Sequence, residues 1–118
     1  MIITDVSVRV FRTTTRRHSD SAGHAHPGPP HQVEQAILTI RTEDGHEGHS
    51  FTAPEIVRPH VIDKFVKKVL IGEDHRDRER LWHDLAHWQR GSAAQLTDRT
   101  LAAVACALWD LAGRALGQ

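Results

Sequence analysis

The closing stretch of the chain, Thr97 to Gln118 (TDRTLAAVACALWDLAGRALGQ), constrains the fold more than any other. Leu101, Val104, Ala105, Leu108, Leu111, Ala112 and Ala115 recur at helical spacing. Ala102, Ala103, Cys106, Ala107 and Trp109 take up much of the remaining helix surface. A helix that is apolar on most sides has to be covered on most sides. Thr97 has the chemistry of an N-cap, and Gly117 that of the residue just past a C-cap. The element in greatest need of cover is thus the last one. The sequence predicts that part of what packs on it lies outside the chain.

Bulk properties narrow the function classes. At 118 residues the chain is one domain by length, with room for a modest core. Formal charge is zero, so no strong field selects nucleic acid or an anionic membrane. The run EDHRDRER at 73–80 alternates in sign and reads as a solvated helix start. One cysteine, Cys106, excludes an intrachain disulfide and fits a reducing compartment. Set among alanines, it is predicted to be a buried structural thiol. The N-terminus MIITDVSVRVF has no basic region, long apolar run or cleavage site of a signal peptide. No apolar run approaches membrane-spanning length. The expectation is a soluble, cytoplasmic protein that binds neither membrane nor nucleic acid.

From Ile2 to Arg12 the chain alternates, with Ile2, Val6, Val8 and Val10 on the mostly apolar side. This is the period of a half-buried strand. Thr13 to Gln32 breaks the pattern with Pro27, Pro29, Pro30, Gly23 and Gly28, and predicts a long loop. A loop of that length in a small domain is usually functional or disordered. Alternation resumes at Val33–Thr42, with Ala36, Leu38 and Ile40 on one side. Glu43-Asp44-Gly45 is a turn signal, and His46–Phe51 returns as a third strand. Gly48 within it points to a bulge or a close backbone approach.

Helical periodicity follows. Thr52 and Glu55 have capping-box spacing, although Pro59 also suits the first turn of the main helix. Val61, Phe65 and Val69, with Ile62 and Val66, make a broad apolar face that Gly72 ends. A second helix over 76–90 is predicted to bury Leu81, Leu85 and Trp88, with Trp82 beside them. The fold class is therefore α+β, a three-stranded antiparallel meander followed by a three-helix bundle.

The residues alone carry little chemistry. His24, His26 and His31 share the long loop and have metal-capable imidazoles. Their spacing matches no zinc motif, and no cysteine joins them. They read as exposed histidines, or as donors facing a substrate. His83 and His87 are four apart on a helix, but Asp84 stands where a protease motif has glutamate, so an exposed face is the simpler reading. Gly45-His46-Glu47-Gly48 lacks the third glycine and following helix of a phosphate loop. Ser50 and Ser92 have no base in a nucleophile motif.

Five motifs in order carry a resemblance over essentially the whole chain. These are Asp44-Gly45, Gly48-His49-Ser50, Leu70-Ile71-Gly72-Glu73-Asp74, Arg80-Leu81-Trp82, and the run from Ala107-Leu108-Trp109-Asp110 to Leu116-Gly117. Together the chain resembles the N-terminal capping domain of the enolase superfamily, in its mandelate racemase/muconate lactonizing enzyme branch. Gly48-His49-Ser50 is similar to the mandelate racemase subgroup. Ala105 stands where relatives commonly carry a carboxylate.

The resemblance implies a two-part enzyme. Residues 1–96 would form the cap, and 97–118 the helix leading toward a (β/α)-barrel. That barrel would supply Mg²⁺ ligands and the bases that abstract a proton α to a carboxylate. This chain would hold no catalytic group and no metal of its own. Two cap loops would close over the substrate, which assigns His24, His26, His31, Phe51 and Thr52 to substrate binding. A lid rich in histidine favours hydroxylated acids over aryl ones. The expected function is the capping domain of an acid-sugar dehydratase acting on a carboxylate-bearing small molecule, homo-oligomeric when intact. The competing reading is a stand-alone, non-catalytic binding domain of the same fold, with helix 97–117 as its partner surface.

Overall fold

The structure is a computed structural model that describes residues 1–15, 31–92 and 94–117, with side chains outside 13–15 and 31–32. Strands β1 (Ile3–Thr15), β2 (His31–Thr42) and β3 (Glu47–Thr52) form an antiparallel sheet in the order β1-β2-β3. A short 3-10 turn, Pro54–Ile56, follows β3. Helix α1 then runs continuously through Pro59–Val61, Ile62–Val66 and Lys67–Leu70, with π geometry in the middle stretch. Helices α2 (Arg78–Arg90) and α3 (Asp98–Ala115) complete the domain. This is the expected α+β meander and helices.

The core lies between the sheet and the helices. Ala36, Leu38 and Ile40 of β2 are fully buried there, as their alternation predicts. Val61, Ile62, Phe65, Val66 and Val69 bury the inner face of α1, and Leu81 and Leu85 that of α2. Pro59 takes the first helical position of α1. Thr97 caps α3 by accepting from the Thr100 amide. Gly117, at φ +79°, turns the chain just past the end of α3.

Several expectations are corrected. In β1, Ile3 and Val6 are the residues fully buried, while Val10 is half-exposed. A register irregularity between Ile3 and Asp5 moves Ile3 to the same side as Val6. The strands also run further than the proline-rich stretch suggested, because Thr13, Thr14 and Thr15 pair with Val33, Gln32 and His31. The capping box at Thr52 does not form. Pro54 starts a 3-10 turn one residue later, whose N-cap Ala53 offers no side chain. Trp88 is half-exposed rather than core. Cys106 is exposed, not buried.

Both sheet edges are dressed. Along β1, backbone bonds join the Ile3 amide to the Glu73 carbonyl (2.8 Å) and the Gly72 amide to the Ile3 carbonyl (2.9 Å). Nearby, the His75 imidazole is buried and its Nδ1 has no partner among the described residues. Burial, with the Met1 ammonium behind it, lowers its pKa from the ordinary 6.5. The folded chain therefore resists a proton that the unfolded chain accepts. Stability should be level above about pH 6.5 and fall as the pH drops below it. His75→Gln should flatten that part of the melting-temperature profile, and equal slopes for both chains would refute the assignment.

Candidate functional site

The ends of three strands define one end of the molecule. β1 finishes there at Thr15, β2 begins at His31, and β3 finishes at Thr52. Thr52 pairs with Ala36, so the pairing of β2 with β3 stops there while its pairing with β1 continues to His31. The first two strands thus project beyond the third as a two-stranded ribbon. His31 is five positions before Ala36, which at strand rise is about 17 Å.

The predicted site residues are placed as follows. His24 and His26 fall outside the described residues. His31 is the first residue of β2, opposite Thr15, and not part of a loop. Phe51 is 72 % exposed, and Thr52 beside it is half-buried. The ribbon carries His31 well beyond the level of Phe51 and Thr52, so the backbone does not bring the three into one cluster.

A second constellation surrounds the junction of β3 and α3. Gly48 lies against α3 so closely that a Cβ there would stand 2.6 Å from the amide nitrogen and Cβ of Leu111, and nearer still to the Ala107 carbonyl. One residue on, the outward His49 amide donates to Asp110 Oδ2 at 2.8 Å. Arg114 Nε donates to the same oxygen at 2.9 Å. The helix therefore satisfies an edge donor that the sheet leaves open. The His49 amide first, and then Arg114, hold the Asp110 carboxyl below its usual range. Asp110 and His49 belong to motifs legible in the sequence, but their link across 61 positions left no local signal.

On the outer face, Arg9, Ile37, Thr39, His49, Phe51 and Arg114 border an open groove. Thr39 Oγ1 and His49 Nδ1 are 2.9 Å apart, and Arg41 pairs with Glu47. Arg41 also lowers the Glu47 pKa. Asp110 and Glu47 are thus fixed anionic acceptors at neutral pH, not proton donors. Asp110→Ala should cost about 1 kcal/mol by leaving the His49 amide without its acceptor. Urea unfolding of both chains checks this, and an unchanged midpoint would count against it. Among the described residues, no group of three or more His, Cys, Asp or Glu could hold a metal ion. No helix among them is long and apolar enough to cross a membrane.

Comparison with known proteins gives the fold its relatives. Residues 6–118 match the family described as Mandelate racemase / muconate lactonizing enzyme, N-terminal domain. The chain is 92 % identical, over its whole length, to a D-glucarate dehydratase from Agrobacterium tumefaciens solved in complex with magnesium. The TM-score is 0.90, and the match covers 31 % of that protein. A racemase from Streptomyces coelicolor with bound magnesium is 26 % identical at TM-score 0.67, covering 97 % of this chain and 33 % of that one. An enolase superfamily member from Polaromonas shares the fold at TM-score 0.73 and 20 % identity, covering 98 % and 31 %. The chain spans about a third of the length of these structures.

Proposed function

This chain belongs to the mandelate racemase / muconate lactonizing enzyme family, as its N-terminal domain, and from that premise we propose that it caps the active site of an acid-sugar dehydratase. The observation that carries this reading is the 92 % identity, across the entire chain, to a D-glucarate dehydratase. The substrate is a carboxylate-bearing sugar acid, and the reaction begins with proton abstraction α to that carboxylate. Residues 1–96 form the cap, and 97–118 lead toward the barrel. Magnesium, when bound, stabilises the charge that develops on the substrate carboxylate. Among the described residues no group of three or more His, Cys, Asp or Glu fits it, and in this reading the rest of the polypeptide would supply its ligands.

This chain's own contribution is enclosure and recognition. Residues 16–30, which include His24 and His26, connect the two strands of the ribbon in sequence, and His31 begins the second of them. Phe51 presents an exposed ring at the end of β3, next to Thr52. Such groups exclude water and select among substrates without entering the chemistry. The intact enzyme is a cytoplasmic homo-oligomer in this reading.

The test joins this chain to the remaining two thirds of the Agrobacterium dehydratase. The chimaera should dehydrate D-glucarate. Phe51→Ala should lower kcat/KM about tenfold, equivalent to ~1.4 kcal/mol of transition-state binding. A folded chimaera without dehydratase activity, or one indifferent to Phe51, would overturn the proposal.

A further inference from the structure

Thr100, in the first turn of α3, is almost wholly buried. A buried hydroxyl needs partners. Its Oγ1 donates to the Ile56 carbonyl at 2.6 Å, across 44 positions of sequence. Thr97 Oγ1 lies 3.1 Å from the same hydroxyl. Thr100 has one hydroxyl hydrogen to give, and a carbonyl only accepts. The hydrogen between the two threonines therefore belongs to Thr97. Thr97 in turn accepts from the Thr100 amide at 3.2 Å. The hydroxyls run in one direction, from Thr97 to Thr100 to Ile56, and bonds in such a chain polarise one another. The cap of α3 and its hold on Ile56 are one device.

The far end of this chain is the turn that follows Phe51 and Thr52. The Ile56 amide donates to the Ala53 carbonyl at 3.0 Å, and the Val57 amide to the Pro54 carbonyl at 3.2 Å. A single turn closed by two such bonds does not hold itself, because fixing its backbone costs more than the bonds return. Two outside contacts hold it. Val57 is fully buried in the core, and the Ile56 carbonyl rests on Thr100. The burial fixes the depth of the segment, and the hydrogen bond fixes the direction of its carbonyl. Strand β3 already packs on α3 at Gly48, against Ala107 and Leu111. Thr100 is a second grip by the same helix, about two turns before Ala107. Phe51 and Thr52 stand in sequence between the two grips.

We propose that Thr100 is a positioning residue for substrate recognition, whose hydroxyl sets the turn behind Phe51 and Thr52 before a hydroxylated carboxylate arrives. This rests on the reading of the chain as the cap of an acid-sugar dehydratase. Thr100 itself touches no substrate. Groups already in place bind without an ordering cost. An untethered turn populates the competent arrangement only part of the time, and apparent affinity falls by that fraction. Once the substrate is bound the arrangement is the same, so the chemical step keeps its rate.

The test is made in the chimaera. Thr100→Val keeps the branched shape and removes the hydroxyl. Its KM for D-glucarate should rise about fivefold, with kcat within about twofold of wild type. Thr100→Ser keeps the hydroxyl and should restore KM. Amide hydrogen exchange at Ile56 and Val57 should quicken about tenfold in the valine chain, while Val104 and Leu108 keep their rates. A purely structural role would lower the melting temperature and kcat with KM intact, and that result would overturn the proposal. Unchanged exchange at Ile56 and Val57 would overturn it too. If Thr100→Val does not fold, Thr97→Ala takes its place, since it strips the donor to Thr100 Oγ1 at an exposed position. It should raise KM about twofold and quicken the same two amides, and no change in either would refute the tether. An active chimaera whose KM ignores Thr100→Val sinks the positioning role and leaves the function standing. An inactive chimaera sinks the function, and exchange alone then decides the tether.

Discussion

Gly48→Ala should lower the stability of the domain by about 3 kcal/mol and its melting temperature by roughly 10–20 °C. The new methyl group would meet the Ala107 carbonyl and the Leu111 amide, which are backbone atoms of α3. A side chain could rotate away, but a helix backbone must move as a unit. That movement would open the β3–α3 contact and pull Asp110 from the His49 amide. Gly113→Ala is the control, because a Cβ there meets nothing within 4 Å and alanine suits a helix interior. Circular dichroism melts of the three chains test the argument. A Gly48→Ala chain that melts within a few degrees of wild type would show that α3 yields more easily than its packing implies.

Leu111→Glu should prevent folding altogether. Leu111 is fully buried where α3 meets Gly48. A carboxylate there either remains charged without a partner or takes up a proton, and either route costs several kcal/mol. Domains of this size hold only about 5–15 kcal/mol in total. Leu116→Glu, at the exposed C-terminal cap of α3, should change stability by less than about 0.5 kcal/mol. Far-ultraviolet dichroism and size exclusion separate the outcomes. A soluble, helical Leu111→Glu chain would mean that the inner side of α3 has been misassigned.

That contrast shows what the sequence could and could not reveal. In α1 and α2, apolar residues alternate with charges, so the buried face could be read from the letters. In α3 nearly every position is apolar, and periodicity then carries no phase. Hence Cys106 was expected inside and lies outside, while the helix itself and its Thr97 cap were clear. Trp82 and Trp88 show a related ambiguity, since large amphipathic rings serve at rims as well as in cores. Strand alternation failed in β1, at the irregularity between Ile3 and Asp5 and again at the half-exposed Val10. The closeness of β3 to some backbone was legible in Gly48, but its partner was not, because Ala107 and Leu111 are distant in sequence. Phe51 lies in the third strand as its alternation suggested, whereas Thr52, read as a helix cap, is the last residue of that strand. His31 was read as loop because proline-rich neighbours hid its pairing with Thr15.

The projecting ribbon has a bearing on how such a domain can diversify. Thr15 and His31 are cross-strand partners, so the two ends of segment 16–30 are already held side by side by pairing further down. The entropy of joining ends so placed grows only with the logarithm of the intervening length, at about 0.6 kcal/mol for each doubling. The core, which starts near Ala36 and Val6, takes no part in that cost. A longer, shorter or wholly different insert could therefore be spliced between these two residues while the rest of the domain kept its packing. Substrate preference and structural stability would then be free to evolve at separate rates.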